Sequence, residues 1–151
     1  MLNWTHNSKD ILSHDDLTSD VVGFIYCIKY KDGRRYIGKK LIRSARRVKP
    51  TKAQLAIRKN YKRVEMVDLP FVNYEGSTKN SVGLEVQNKI ILELCSDKIN
   101  LDYCERKWLI HYDVLNSDKY LNDNIGGTYF RGKITKGMTP KEMEYILSKG
   151  E

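Results

Sequence analysis

Apolar, β-branched and aromatic residues are concentrated in three segments whose composition is typical of β-strands. The first is VVGFIYCIKY at 21–30, and the second is RRYIGKKLI at 34–42. The turn signal KDG lies between them, so these two segments predict a β-hairpin. A third segment, NKIILELCS at 88–96, has the alternation and β-branching of a further strand.

The two tyrosines of the predicted hairpin, Tyr26 and Tyr36, share one face of the sheet only if the connecting loop has the right length. A two-residue loop at 32–33 places them on opposite faces, because side chains alternate along each strand. A three-residue loop at 31–33 places both on one face. That loop type favours glycine at its last, left-handed position, where Gly33 stands, so we predict the three-residue loop.

Three other segments predict helices. KPTKAQLAIRKNYKRVEM at 49–66 contains Thr51 as a candidate N-cap, and Gln54 three positions later completes the capping-box pattern. KINLDYCERKWLIHYDVL at 98–115 has apolar residues at three- to four-residue spacing along one side. TPKEMEYILSKGE at 139–151 begins with a Thr-Pro pair, which suits a helix N-terminus.

The order of these elements predicts an α/β (α+β) fold with a short three-stranded antiparallel sheet flanked by helices. A length of 151 residues favours one domain. We assign residues 1–20 to an N-terminal extension and residues 21–130 to the domain. Residues 131–151 are assigned to a basic linker and a short helix packed on or next to the domain.

The net charge of +8 is concentrated in one part of the chain. Eleven Lys or Arg residues and no Asp or Glu lie between Lys39 and Val64. Such a cationic stripe attracts a polyanion through Coulomb forces and counterion release, which favours nucleic acid over a membrane surface. A solvated basic helix is the alternative interpretation. The candidate nucleic-acid-binding residues are Lys39, Lys40, Arg43, Arg47, Arg58, Lys59 and Lys62.

Other features of the composition narrow the class of protein. The three cysteines show no metal-binding spacing, which disfavours structural zinc and a disulfide framework and suits a reducing compartment. No apolar run approaches the length of a membrane span, and the N-terminus has no apolar signal region. We therefore expect an intracellular, cytoplasmic protein with no membrane partner.

Short motifs within this framework resemble the GIY-YIG nuclease family. FIY at 24–26 is followed ten residues later by YIG at 36–38, and the later segments YCERKWL and KYLNDN are similar to two further family motifs. The segment FVNYEGS resembles one that phage-encoded members carry. Together these motifs span residues 23 to about 127. Phe24 replaces the first glycine of the family signature, and Gly23 stands one place early.

The resemblance implies the GIY-YIG fold and a stand-alone, phage-type endonuclease that hydrolyses phosphodiester bonds in DNA with Mg²⁺ or Mn²⁺, acting in the host cytoplasm. By its spacing from the second tyrosine, one arginine is favoured as the phosphate clamp, with two neighbours as alternatives. The implied site residues are Tyr26 as the base, Tyr36 as its orienting partner, Arg46 (or Arg43 or Arg47) as the clamp, Glu105 as the metal ligand, and Asn122 (or Asn124) as a residue that holds the site.

These residue types suit the chemistry of phosphodiester hydrolysis. A hard divalent cation can be held by one carboxylate, with waters and phosphate completing its shell. A guanidinium matches a phosphate in a bidentate fashion and stabilises transition-state charge. A phenol with a pKa near 10 is a weak base at neutral pH. We expect Lys39, Lys40, Arg46 and the metal to lower the pKa of Tyr26.

Alternative functions remain open from the sequence. Taken singly, Tyr26 and Tyr36 fit half-buried strand positions, Glu105 fits a helix surface, Asn122 fits a turn and Gly38 fits a strand end. Their occurrence in one order beside a basic stripe favours the nuclease over a non-catalytic nucleic-acid-binding module. Duplex DNA is the favoured partner, although an RNA-directed nuclease has the same phosphate attraction.

The C-terminal segment YFRGKITKG carries cations beside two aromatic residues. Arg131, Lys133 and Lys136 could follow a DNA backbone or belong to an ordinary basic linker. The sequence does not distinguish a nicking enzyme from one that cuts both strands, nor a monomer from a dimer, and it does not indicate a cleavage sequence.

Overall fold

The computed structural model of the chain describes residues 2–127, 129–132 and 137–150. No helix in these ranges is long and apolar enough to cross a membrane. The elements in chain order are β1 (Trp4–His6), β2 (Lys9–Ile11), β3 (Gly23–Tyr30), β4 (Arg35–Leu41), β5 (Arg43–Val48), α1 (Lys52–Ile57), β6 (Arg63–Asp68), β7 (Val86–Cys95), α2 (Lys98–His111) and α3 (Pro140–Lys149).

The main sheet has five strands in the order β2-β1-β7-β3-β4. Neighbouring strands are antiparallel except β1 and β7, which run parallel. The mixed α/β class is therefore confirmed, and the predicted hairpin and third strand form the β7-β3-β4 part of the sheet. The sheet nevertheless has five strands and not three, because residues 4–11 form a second hairpin along β7. Strands of three residues show too little alternation to be recognised in a polar segment.

The loop of the β3–β4 hairpin has three residues, as predicted. The Tyr30 N–H donates to the Arg34 carbonyl at 2.9 Å, and Gly33 takes a φ of +92°. In this register Tyr36 lies opposite Ile28. Because Ile28 and Tyr26 are two positions apart on β3, both tyrosines point to the same face of the sheet.

The two faces of the sheet have separate cores. Phe24, Tyr26 and Ile28 pack with Trp4 and Phe71 on one face. The intervening side chain of Ile25 packs on the other face, against the buried residues Leu101, Cys104 and Leu109 of α2. Helix α2 therefore covers the face opposite the two tyrosines, and the segment around Phe71 covers the face that carries them, where the Trp4 side chain of β1 also packs.

The prediction of a helix over residues 49–66 is wrong for most of that range. Its start is correct, since Thr51 and Gln54 form the expected capping box. The helix ends at Ile57, and residues 63–68 form β6, which pairs antiparallel with β5 in a separate two-stranded sheet. None of the residues from 43 to 68 is buried, so no apolar face holds a longer helix against the body of the protein.

The C-terminal helix α3 begins as predicted, with Thr139 as N-cap in a capping box with Glu142 and Pro140 in the first turn. Every side chain of α3 is exposed. Lys133 and Lys136 lie outside the described residues. The guanidinium of Arg131 donates hydrogen bonds to backbone carbonyls at Val114, Leu115, Ser117, Tyr120 and Asn122. Arg131 therefore holds the segment 114–122, which follows α2, and is not free to follow a DNA backbone.

Candidate active site

Three tyrosines from different parts of the chain meet on the face of the sheet opposite α2. Tyr26 is 1% exposed, and its hydroxyl lies 3.3 Å from the hydroxyl of Tyr74, so either group can donate. The ring centroid of Tyr26 lies 5.8 Å from that of Tyr74 and 6.2 Å from that of Tyr36. We call Tyr26, Tyr36 and Tyr74 the tyrosine cluster. Tyr36 and Tyr74 are partly exposed, so the cluster can be reached from solvent.

Gly38 makes room for the side chain of Tyr26. The two residues are opposite each other in the β3–β4 register. A Cβ placed on Gly38 would lie 2.5 Å from the Tyr26 hydroxyl oxygen and 3.1 Å from the Tyr36 ring. Gly38 is well inside β4, so its role is not to end a strand. The Tyr26 ring packs over β4 at Gly38, because a residue with a Cβ would clash with it.

Lys89 holds in place the segment that carries Tyr74. This lysine is 1% exposed, and its ammonium group donates to the carbonyls of Val72 at 2.9 Å and Tyr74 at 3.2 Å. It also lies 4.8 Å from the centroid of the Trp4 ring. Burial lowers the pKa of Lys89. Neither Tyr74 nor Lys89 was predicted as a site residue, and the signal available for Lys89 was a cation within the apolar strand β7.

Glu105 approaches the tyrosine cluster from α2, on the other side of the edge strand β4. Its side chain is 23% exposed and lies 3.8 Å from the ammonium group of Lys39. Burial raises the pKa of Glu105, although the charge of Lys39 opposes this effect. The negative charge of Glu105 also contributes to raising the pKa of both Tyr26 and Tyr36.

Asn122 supports the middle of β4 from its outer edge. It is 4% exposed, and its side-chain oxygen accepts from the Ile37 N–H at 3.2 Å while its amide nitrogen donates to the Ile37 carbonyl at 2.8 Å. Ile37 lies between Tyr36 and Gly38, so this pair of bonds fixes the backbone of the site. The side chain of the alternative residue, Asn124, accepts from the nearby Gly126 N–H and not from β4.

Comparison with known families identifies the family of the chain. The model of the SegE_GIY-YIG family, described as endonuclease segE, GIY-YIG domain, matches residues 4–125. The chain belongs to the GIY-YIG endonuclease family. Its members are phosphodiester hydrolases that act on nucleic acid. No curated protein and no solved structure was found to match the chain. The family match begins at Trp4 and so includes β1 and β2.

The structure does not bring the expected arginines of this GIY-YIG domain to the tyrosine cluster. Arg43 is only 11% exposed and forms an ion pair with Asp68 at 3.4 Å. Its guanidinium also donates to the carbonyls of His14, Thr18 and Val21, so it is occupied in holding the backbone. Arg46 and Arg47 are exposed on the strand β5. Among the described contacts, none joins either side chain to the cluster.

Lys40 is a cation that does contact the tyrosine cluster. It follows Gly38 on the same face of β4, and its ammonium group lies 4.4 Å from the centroid of the Tyr74 ring. Lys40 and Tyr74 also line an open groove together with His14 and the segment 70–73. Lys39, by contrast, forms ion pairs with Asp102 and Glu105 on the α2 side. The two consecutive lysines therefore interact with groups on opposite faces of the sheet.

The protein groups around Tyr26 do not lower its pKa, contrary to what was expected of Lys39, Lys40 and Arg46. Burial raises the pKa of Tyr26 well above its usual value, and the hydrogen bond with Tyr74 raises it further. Burial also raises the pKa of Tyr36, where a hydrogen bond with Ser77 opposes the shift. Both phenols of the GIY-YIG motif therefore hold their protons at neutral pH.

GIY-YIG nucleases generally depend on a divalent metal ion. The described residues contain no group of three or more His, Cys, Asp or Glu side chains that could enclose one. A single carboxylate suffices for Mg²⁺, which retains waters and uses substrate phosphate as a ligand. Glu105 fits this requirement, because a nearby positive charge stabilises the ionised form of its largely buried carboxylate.

Proposed function

We propose that this chain is a metal-dependent endonuclease that cuts duplex DNA at a site formed by Tyr26, Tyr36 and Glu105. The observation that carries the proposal is the position of a largely buried helical carboxylate, Glu105, 3.8 Å from the ammonium group of Lys39 on β4, the strand that carries Tyr36 and receives the Tyr26 ring over Gly38. The stripe of cations that begins at Lys39 supports a polyanionic substrate. The complete set of phenols and carboxylate supports an active enzyme over a binding module that has lost its activity.

Glu105 would hold the divalent cation, Mg²⁺ or Mn²⁺. When bound, such an ion neutralises charge on the scissile phosphate and lowers the pKa of a coordinated water. The burial of Glu105 and its approach to β4 support this assignment. The ion pair between Glu105 and Lys39 keeps the carboxylate directed toward β4.

Tyr26 and Tyr36 act in this proposal as neutral phenols that orient the attacking water and the phosphate by hydrogen bonds. Their raised pKa values support this role and oppose the role of general base that the sequence suggested for Tyr26. Tyr74 fixes the direction of the Tyr26 hydroxyl. Lys40, beside Tyr74, contributes positive charge to the phosphate in place of the expected arginine.

Cleavage of supercoiled plasmid DNA with Mg²⁺ tests this proposal. We expect Glu105→Gln to lower the rate by about 10³-fold, Tyr26→Phe by about 10²-fold and Tyr74→Phe by about tenfold. Glu144→Gln is the matched control, because Glu144 is exposed on α3 and lies outside the site. EDTA should abolish the activity. Equal rates for Glu105→Gln and wild type would contradict the metal-binding role, and faster cutting of RNA or single strands would contradict the substrate.

A further inference from the structure

Residues 43–68 form a separate structural unit that we call the basic arm. It consists of β5, α1 and β6, and its two strands pair with each other over six residue pairs from Arg43–Asp68 to Val48–Arg63. They belong to a sheet distinct from the main one. None of the 26 residues in the arm is buried. The arm is therefore a two-stranded ribbon that extends from the protein into solvent.

The base of the arm is firmly attached. The Leu69 N–H donates to the Ile42 carbonyl at 2.8 Å, and Ile42 is fully buried. The guanidinium of Arg43 donates to the carbonyls of Thr18 and Val21 at 2.7 and 2.8 Å. These bonds fix the direction in which the ribbon leaves the sheet, directly after the strand that carries Gly38 and Lys40.

The arm carries nearly all of the net charge. Residues 44–67 contain eight Lys or Arg residues and one acidic residue, Glu65, which amounts to +7 of the total of +8. Glu65 is neutralised by Arg63, whose guanidinium lies 2.6 Å from its carboxylate. The remaining cations have no acidic partner among the described residues, so the arm presents a strong positive potential to solvent.

One face of the ribbon combines cationic and apolar side chains. Arg47 lies opposite Val64, and Ala45 lies opposite Met66 on the same face. All four residues are exposed, with Val64 at 55% and Met66 at 57%. An exposed apolar surface beside arginine suits the edges of DNA bases, where arginine binds guanine and apolar groups contact the thymine methyl.

We propose that the basic arm inserts into the major groove of duplex DNA and provides most of the binding affinity and the sequence preference of this nuclease. The inference rests on the proposed function, since it assumes a duplex DNA substrate. Paired strands lie about 4.8 Å apart, and with side chains such a ribbon fits the major groove, about 12 Å wide, and not the minor groove, about 6 Å wide.

The attachment of the arm places its contacts close to the cleavage site. Six strand residues extend about 20 Å, which corresponds to about six base pairs along the duplex. We therefore expect the base pairs that the arm contacts to lie within about half a helical turn of the cut phosphodiester bond.

A charge-matched pair of variants tests the affinity part of the proposal. The arm variant replaces Lys49, Lys59 and Lys62 with Ala, and the control replaces Lys9, Lys119 and Lys141. All six lysines are exposed, so each variant loses three charges without loss of core packing. Binding to a 30-base-pair duplex is measured by fluorescence anisotropy in EDTA at several salt concentrations, with circular dichroism to verify folding.

We expect the arm variant to raise the Kd about ten- to hundredfold and to reduce the slope of log K against log salt by about 2 to 3, because each lost phosphate contact contributes about 0.9. The control should leave the slope nearly unchanged. Equal losses in the two variants would overturn the proposal. Binding is measured without cleavage, so failure of the Glu105 prediction would leave this result interpretable.

Groove-specific competitors test the position of the arm. Methyl green, which occupies the major groove, should displace the wild-type protein, whereas a distamycin-type ligand of the minor groove should not. Arg47→Ala should weaken binding and reduce the differences in Kd among duplexes of different sequence. Displacement only by the minor-groove ligand, or equal affinity of wild type for structured RNA, would overturn the proposal, because the major groove of A-form RNA is too narrow for a ribbon.

Discussion

The tyrosine cluster and the basic arm are neighbours in the sequence, yet they are held in opposite ways. Tyr26 and the Trp4 ring that packs on it are buried, whereas every residue of the arm retains solvent exposure. The site depends on the position of individual atoms, which a packed core can fix. The arm depends on the sign and density of its charge, which exposed side chains can provide. Substitutions should therefore affect stability in the first region and DNA affinity in the second.

The largest contrast in stability is expected between Trp4→Ala and Ile57→Ala. Trp4 is fully buried, donates from its indole N–H to the Phe71 carbonyl at 3.0 Å, and packs against Phe24 and Tyr26. Ile57, in the arm, is 80% exposed. We expect a loss in the free energy of unfolding of about 3–5 kcal/mol for Trp4→Ala and a change within about 0.5 kcal/mol for Ile57→Ala. Urea denaturation measures both, and similar losses would refute the contrast.

A second contrast compares two arginines. The guanidinium of Arg131 donates to five backbone carbonyls between Val114 and Asn122, whereas Arg58 is exposed in the arm. We expect Arg131→Ala to lower the free energy of unfolding by about 2–4 kcal/mol, because several buried carbonyls lose their donor. Arg58→Ala should weaken DNA binding and leave the unfolding curve unchanged. An unchanged midpoint in urea for Arg131→Ala would show that water replaces these bonds without cost.

Features that depend on residues close in sequence could be predicted. The three-residue loop follows from the glycine at position 33, and the common face of Tyr26 and Tyr36 follows from that loop. The capping boxes at Thr51 and Thr139 follow from side chains three residues apart. In each case the determining contacts are local, so the sequence pattern contains the information.

Features that depend on distant contacts could not be predicted. Lys89 holds the segment that brings Tyr74 to Tyr26, and nothing in the local sequence indicates the bonds that it makes. The choice between Arg43 and Arg46 depended on which guanidinium met backbone carbonyls of residues 14–21. The arm was mistaken for a helix because its polar, exposed sequence has no apolar periodicity that separates the two structures.

The smallest effect that we predict concerns the pH dependence of stability, and it connects the site to its chemistry. Burial raises the pKa of Glu105, so the native state holds this proton more tightly than the unfolded chain does. The free energy of unfolding therefore falls as the pH rises from the usual range of a glutamate through the raised native pKa. Above that window the ionised carboxylate is a cost to stability.

Glu105→Gln removes this cost while it removes the proposed metal ligand. Its Tm should therefore be slightly above that of wild type at neutral pH and should approach the wild-type value in acid. Glu85→Gln is the opposite case, because the neighbouring Lys31 lowers the pKa of Glu85 and the substitution should slightly lower the Tm at neutral pH. Differential scanning fluorimetry between pH 4 and 8 in EDTA measures both. A Tm for Glu105→Gln that falls below wild type at neutral pH would mean that the ion pair with Lys39 outweighs burial, and that the carboxylate is stable in the fold without a bound cation.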